Sequence, residues 1–178
     1  MRARTIVLLA VVAGLSAAAG VSYHLWSRGA GGAAMAPDAV VERVLSVRVA
    51  DVKGGTQSLE QWRGQVLVVN YWATWCAPCR EEIPGFVRLQ ERYGSRGLQF
   101  VGIAIDQPDK VAEFAGEFRI NYPLLLGGLE TIELLRQAGN RAGVLPYTLV
   151  IDRKGNLVIR EQGGLREAKL ERIIQSLL

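Results

Sequence analysis

The stretch NYWATWCAPCREE, Asn70 to Glu82, carries both cysteines of the 178-residue chain, with two residues between them. Three uses compete for such a pair: half of a metal site, a structural disulfide, or a redox pair that opens and closes. A structural zinc takes four ligands, usually cysteine and histidine at set spacings. This chain offers two cysteines and one histidine, His24, which lies in an apolar N-terminal run. A structural staple works mainly by restricting the unfolded chain, and closing a four-residue ring gives only about 2 kcal/mol, against about 4.7 for a 100-residue loop. Exchange suits the spacing better, because one sulfur attacks a partner disulfide while the other waits within reach to resolve it.

Upstream of the pair, Gln65 to Tyr71 (QVLVVNY) is an apolar run of strand length that suits a buried parallel strand. Downstream, Cys79, Ile83, Phe86 and Val87 fall at i, i+4, i+7 and i+8, one face of a helix running to about Tyr93 with Pro84 as a kink. That pattern puts Cys79 on the buried stripe and Cys76 at the exposed start. Further out, LQFVGIAID reads as a second buried strand, Pro108 to Phe118 as a helix, YPLLLG as a strand and LETIELLRQAG as a helix. YTLVID and LVIREQ flank a KGN turn as a hairpin, and REAKLERIIQSLL closes the chain as an amphipathic helix. Before the cysteine strand, VLSVRVADV reads as an edge strand and SLEQWRG as a turn with a short helical piece. Strands alternating with helices, then a hairpin and a last helix, predict an α/β fold with a mixed sheet.

The first residues predict an address rather than a fold. Met1 to Arg4 is basic, and no charged side chain occurs from Thr5 to Ser27. Ile6 to Trp26 is long enough to cross a bilayer of roughly 30 Å as a helix. The competing reading is a cleaved signal peptide with Ala17-Ala18-Ala19 before the cut. The continuation of the run to Tyr23 and Trp26 favours an anchor, with His24 an interfacial residue without a role. Either way the domain is expected to be exported. The expected organisation is an anchor or signal over residues 1–28, a flexible tether over 29–39, and one domain over 40–178. Taken over the whole chain, the formal net charge of +4 fits a nucleic-acid surface. However, Arg2, Arg4 and Arg28 are three of the 21 basic residues and all 17 acids follow position 28, so 18 bases face 17 acids in the remainder. No phosphate-binding surface, and so no nucleic-acid partner, is expected.

With strand, WCAPC, helix and a later strand opened by Pro146 in place, the sequence resembles the thioredoxin fold. More closely, through VNYWATWCAPCREEIP and LPYTLVID, it resembles the TlpA/ResA-type membrane-anchored thiol:disulfide oxidoreductases, over about residues 44 to 178. The resemblance implies a thioredoxin-fold sheet with an N-terminal β extension and a central strand-helix insertion. It implies Cys76 as the attacking thiol, Cys79 as the buried resolving thiol, and Pro146 as a cis-proline facing them, with Leu145 before it open to a substrate chain. The helix start agrees with that order, since unpaired N–H groups and the helix dipole favour a thiolate at Cys76 over one a turn further in. Glu82 matches the acid that this group carries three positions after the second cysteine, placed to exchange protons with Cys79. Trp75, Ala77 and Pro78 complete the expected contact surface; for Trp75, shielding of the sulfurs and plain packing stand side by side.

Two departures from cytosolic thioredoxin matter. Asn70 replaces its buried aspartate and Ile103 the partner lysine, leaving Glu82 as the substitute acid. Ala77 and Pro78 lie between the cysteines where strongly oxidising members carry a histidine, which favours a reductant or an intermediate potential. The resemblance therefore implies disulfide-bearing protein substrates on the periplasmic side of a bacterial inner membrane, such as apocytochromes c or copper-site assembly proteins. It further implies a transmembrane thiol-shuttling electron donor and no cofactor. Two other classes remain. A copper carrier would use the thiols as soft ligands. A peroxiredoxin-like peroxidase would want Thr or Ser three residues before the cysteine, where this chain has Ala73.

Overall fold

A computed structural model describes residues 14, 16, 19–24 and 36–178. The expected anchor and tether fall mostly outside these residues; among those described, no helix is long and apolar enough to cross a membrane.

The first described element corrects the sequence reading. Pro37–Ser46 is a helix, α1, and the strand expected from Val44 begins only at Arg48. Pro37 occupies the first turn with Asp38 beside it, and Val40, Val41, Val44 and Leu45 form its buried stripe. Residues 37–39, expected to end the tether, are therefore its first turn. Strands β1 (Arg48–Asp51) and β2 (Thr56–Ser58) follow, then a 3-10 turn over Leu59–Trp62 capped by the Ser58 hydroxyl. Next come β3 (Val66–Trp72), α2 (Ala77–Tyr93), β4 (Leu98–Ala104), α3 (Pro108–Glu117), β5 (Leu124–Leu126) and α4 (Leu129–Gln137). The hairpin β6 (Tyr147–Ile151) and β7 (Leu157–Gln162) leads into α5 (Glu167–Leu177).

All seven strands form one sheet in the order β2-β1-β5-β4-β3-β6-β7. β3, β4 and β5 are parallel, while β6 runs antiparallel to β3, β7 to β6 and β1 to β5. β1 is thus interior and β2 is the edge, because β1 pairs on both sides. The N-terminal β extension and the inserted β5–α4 unit are both present, and the sheet with its helices has the thioredoxin fold.

β3 is buried along its whole length, and alternation divides it between two cores. Val66, Val68 and Trp72 pack with Cys79, Ile83 and Phe86 of α2 and with α3 and α5. Leu67, Val69 and Tyr71 pack with α1 and with Leu134 and Leu135 of α4. Asn70 shares the parity of Val68 and Trp72, so its amide points into the layer that holds the cysteine helix. Across the sheet, Gly102 pairs with Asn70 and Leu124. A Cβ on Gly102 would lie 2.7 Å from Leu124 Cδ2 and 3.0 Å from Trp72 Nε1. Gly102→Ala should therefore lower stability by about 1–3 kcal/mol through overpacking. A thermal midpoint equal to that of the parent would show that Leu124 and Trp72 yield freely.

Candidate active site

The parallel strand β3 ends at Trp72, and a short loop carries the chain to Cys76, the residue that caps the N-terminus of α2. Cys76 and Cys79 form a disulfide, with S–S 2.07 Å and Cα–Cα 5.3 Å. Cys79 is 0% and Cys76 5% exposed. The exposed start expected of Cys76 is thus nearly closed, although it keeps the larger opening of the two. Trp75 is 69% exposed; Ala77 and Pro78 are exposed beside it.

The loop is held from below. Both the N–H and the hydroxyl of Thr74 donate to Asp106 Oδ2, the N–H at 3.0 Å, and Arg80 Nη1 reaches the Thr74 carbonyl at 3.5 Å. Arg80 lies 5.0 Å over the rings of Phe114 and Phe118 and pairs with Glu117 at 3.5 Å. Asp106 stands just past β4, so the central strands fix the loop between them.

Glu82, one turn beyond Cys79, is 7% exposed. One carboxylate oxygen accepts from Asn70 Nδ2 at 2.9 Å and the other from the Leu165 N–H at 2.8 Å. Asn70 Nδ2 also donates to Thr148 Oγ1 at 3.0 Å, while Asn70 Oδ1 is buried without a partner among the described residues. Burial raises the Glu82 pKa from its ordinary 4.5 to about 7, against the two hydrogen bonds that favour the anion. A groove of about 290 Å³, lined by Pro78, Glu82, Gly85, Gly164 and Leu165 among others, opens this carboxyl to solvent. Glu81, by contrast, is exposed.

The Leu145–Pro146 peptide bond is cis. Leu145 packs against the cluster that contains both cysteines, and the Pro146 carbonyl accepts from the Gly163 N–H at 2.8 Å. Ile103, at the position of the thioredoxin lysine, is buried in the opposite core. Thr148, Leu165 and Asp106 were not singled out from the sequence. Their signals are a lone hydroxyl inside the apolar strand YTLVI, a glycine pair before Leu165, and an acid that ends a buried strand. None of these names its partner.

A chemically competent arrangement results: a disulfide at a helix start, and behind it a buried carboxyl able to take or give a proton near neutral pH. The AhpC/TSA family model matches residues 34–160. The thiol-disulfide oxidoreductase ResA of Geobacillus kaustophilus is 26% identical over 175 residues, 98% of this chain and 94% of that protein. Among solved structures, a thiol:disulfide interchange protein of the thioredoxin family from Chlorobium tepidum superposes with a TM-score of 0.68 at 33% identity, over 75% of this chain and 94% of that one. A DsbF homologue from Corynebacterium diphtheriae gives 0.67 at 26% identity, over 75% and 85% of the two chains.

Proposed function

This chain belongs to the AhpC/TSA family and is a thiol:disulfide oxidoreductase of the thioredoxin fold, and from that premise we propose that it is an exported reductant of protein disulfides. Its substrates are periplasmic proteins such as apocytochromes c or copper-site assembly proteins. Electrons reach it from a transmembrane thiol-shuttling donor, and residues 1–28 hold it at the inner membrane, with 29–36 as the tether and a working domain that starts with α1 at Pro37.

The reaction runs from the dithiol. The Cys76 thiolate attacks one sulfur of the substrate disulfide, forms a mixed disulfide and expels a substrate thiolate. Cys79 then loses its proton to the Glu82 carboxylate and attacks Cys76 Sγ, which releases the second substrate thiolate and closes the Cys76–Cys79 bond. Two electrons pass to the substrate, and its two thiolates take up protons. The observation that carries the reading is Glu82, a buried carboxyl with a pKa of about 7 on the turn after Cys79. It supplies a base at the depth where the resolving thiol has no solvent to accept its proton.

The direction of electron flow is tested by the reduction potential of the pair, measured on the full chain equilibrated with redox buffers of known poise. A value near or below about −250 mV fits a reductant, and a value near about −120 mV would make the protein an oxidant and overturn the proposal.

A further inference from the structure

Asn140 is fully buried, and the dithiol chemistry makes no use of it. Its amide closes a small ring on the loop that precedes Pro146. Asn140 Nδ2 donates to the Val144 carbonyl at 2.7 Å, and the Val144 N–H donates to Asn140 Oδ1 at 3.0 Å. Inside the ring, the Gly143 N–H reaches the Asn140 carbonyl at 3.1 Å, and Gly143 adopts φ +65°, a conformation that glycine takes without penalty. The ring is tied to the body of the fold. The Asn140 N–H bonds Leu135 O at 3.0 Å, and the Tyr147 hydroxyl bonds Ala138 O at 2.7 Å. Only a side-chain amide supplies a donor and an acceptor together at this reach, so aspartate or leucine at 140 would leave one or both Val144 groups unpaired.

The main-chain accounting that follows singles out one residue. Both groups of Val144 are consumed by Asn140. Pro146 has no N–H, and its carbonyl is taken by Gly163. Between them, the N–H and the C=O of Leu145 bond to no group among the described residues. A residue before proline is driven to an extended conformation, and along an extended segment the peptide groups of successive residues face opposite sides. With those of Val144 turned inward onto Asn140, those of Leu145 face outward.

We propose that Asn140 is the positioning residue for the docking that the family resemblance implies at Leu145: by holding Val144 it keeps both main-chain groups of Leu145 free for an extended substrate chain. The proposal rests on the thiol:disulfide reading of the site and on docking at Leu145, and adds to them the residue that holds that segment in place.

Two probes separate docking from thiol chemistry. One is dithiobis(nitrobenzoate), too small to use Leu145. The other is a decapeptide whose single cysteine carries nitrothiobenzoate. In single-turnover reactions of the full-length reduced protein, Asn140→Ala should raise the apparent KM for the peptide about tenfold, the effect of one or two lost hydrogen bonds, with the rate at saturation and the rate with the small disulfide both within about twofold. Methylating the peptide nitrogens one at a time should expose in the parent a single position that costs about tenfold, and in Asn140→Ala that cost should vanish. If the alanine variant does not fold, Asn140→Asp, which keeps the acceptor for the Val144 N–H, should lose the methylation cost in the same way. An unchanged peptide KM, equal losses with both probes, or a methylation cost that persists in the variants would overturn the proposal. A parent that reacts with the small disulfide but shows no sensitive peptide position removes docking at Leu145 alone. A parent that reacts with neither probe removes the thiol reading and this proposal with it.

Discussion

Cys79→Ser should arrest the protein as a mixed disulfide with its substrate, whereas Cys76→Ser should form none and lose turnover by at least on the order of 10³-fold. The asymmetry follows from the two positions. Cys76 caps α2, where free N–H groups and the helix dipole favour its thiolate, and it keeps the only opening to solvent of the pair. Cys79 is closed off from solvent and bonded to Cys76. A serine hydroxyl cannot replace the attacking thiolate, and in such units the loss of the nucleophile removes most of the rate by itself. Trapping followed by non-reducing electrophoresis and mass spectrometry reads the outcome. Equal trapping by both variants would reverse or void the assignment of attacker and resolver.

Glu82→Gln should slow resolution by about 10²-fold or more while leaving the first attack nearly unchanged, the size expected for loss of a positioned base. The same change should stabilise the fold, but only on the alkaline side. The carboxyl titrates at 4.5 in its ordinary setting and at about 7 in the folded disulfide form, so folding favours its protonated state. Its contribution is therefore complete below about pH 4.5 and is lost as pH rises through 7. Above that, the folded protein carries a buried anion at a cost of about 3 kcal/mol, since each pKa unit corresponds to about 1.4 kcal/mol. Glutamine removes the cost, and its carbonyl still accepts from the Leu165 N–H. Thermal midpoints of the two proteins should coincide near pH 4 and diverge above pH 7 in favour of the variant. Parallel curves across that range would mean that Glu82 does not titrate near neutrality, and unchanged exchange kinetics would remove it from the proton path.

The parts of the molecule written in contiguous sequence were the legible ones. β3 and α2 announce themselves through an apolar run followed by a helical stripe, and the cysteines stand at their junction. α1 was misread because Val40, Val41, Val44, Val47 and Val49 are β-branched, and the last two alternate like a strand. The stripe at Val40, Val41, Val44 and Leu45 was the better guide, since burial on one helix face outweighed propensity. The near burial of Cys76 was not legible, because it depends on elements far away in the chain. The same holds for the setting of Glu82. Asn70 precedes it by 12 residues, but the Leu165 N–H comes 83 residues later, out of a glycine pair that reads locally as a turn. Asn140 lies just past the stretch read as a helix and was not singled out; that its side chain closes on Val144 depends on a ring no periodicity reveals.

β3 lies between β4, which follows it directly, and β6, which bonds it through Asn70 and Thr148 across 78 residues of chain. The sheet at the cysteines cannot be finished until the last third of the polypeptide has arrived. Until then, one flank of the central strand is an open edge and the carboxyl of Glu82 lacks the Leu165 N–H. Contacts of such separation make assembly slow, because the intervening chain must be ordered before the pairing rewards it. A newly made molecule therefore passes through a period in which its two thiols are accessible but unguarded, with neither the loop before Pro146 to align a partner nor a settled base to complete exchange. During that interval they can be captured by whatever disulfide is nearby, and the order in which the chain is delivered decides how long the exposure lasts.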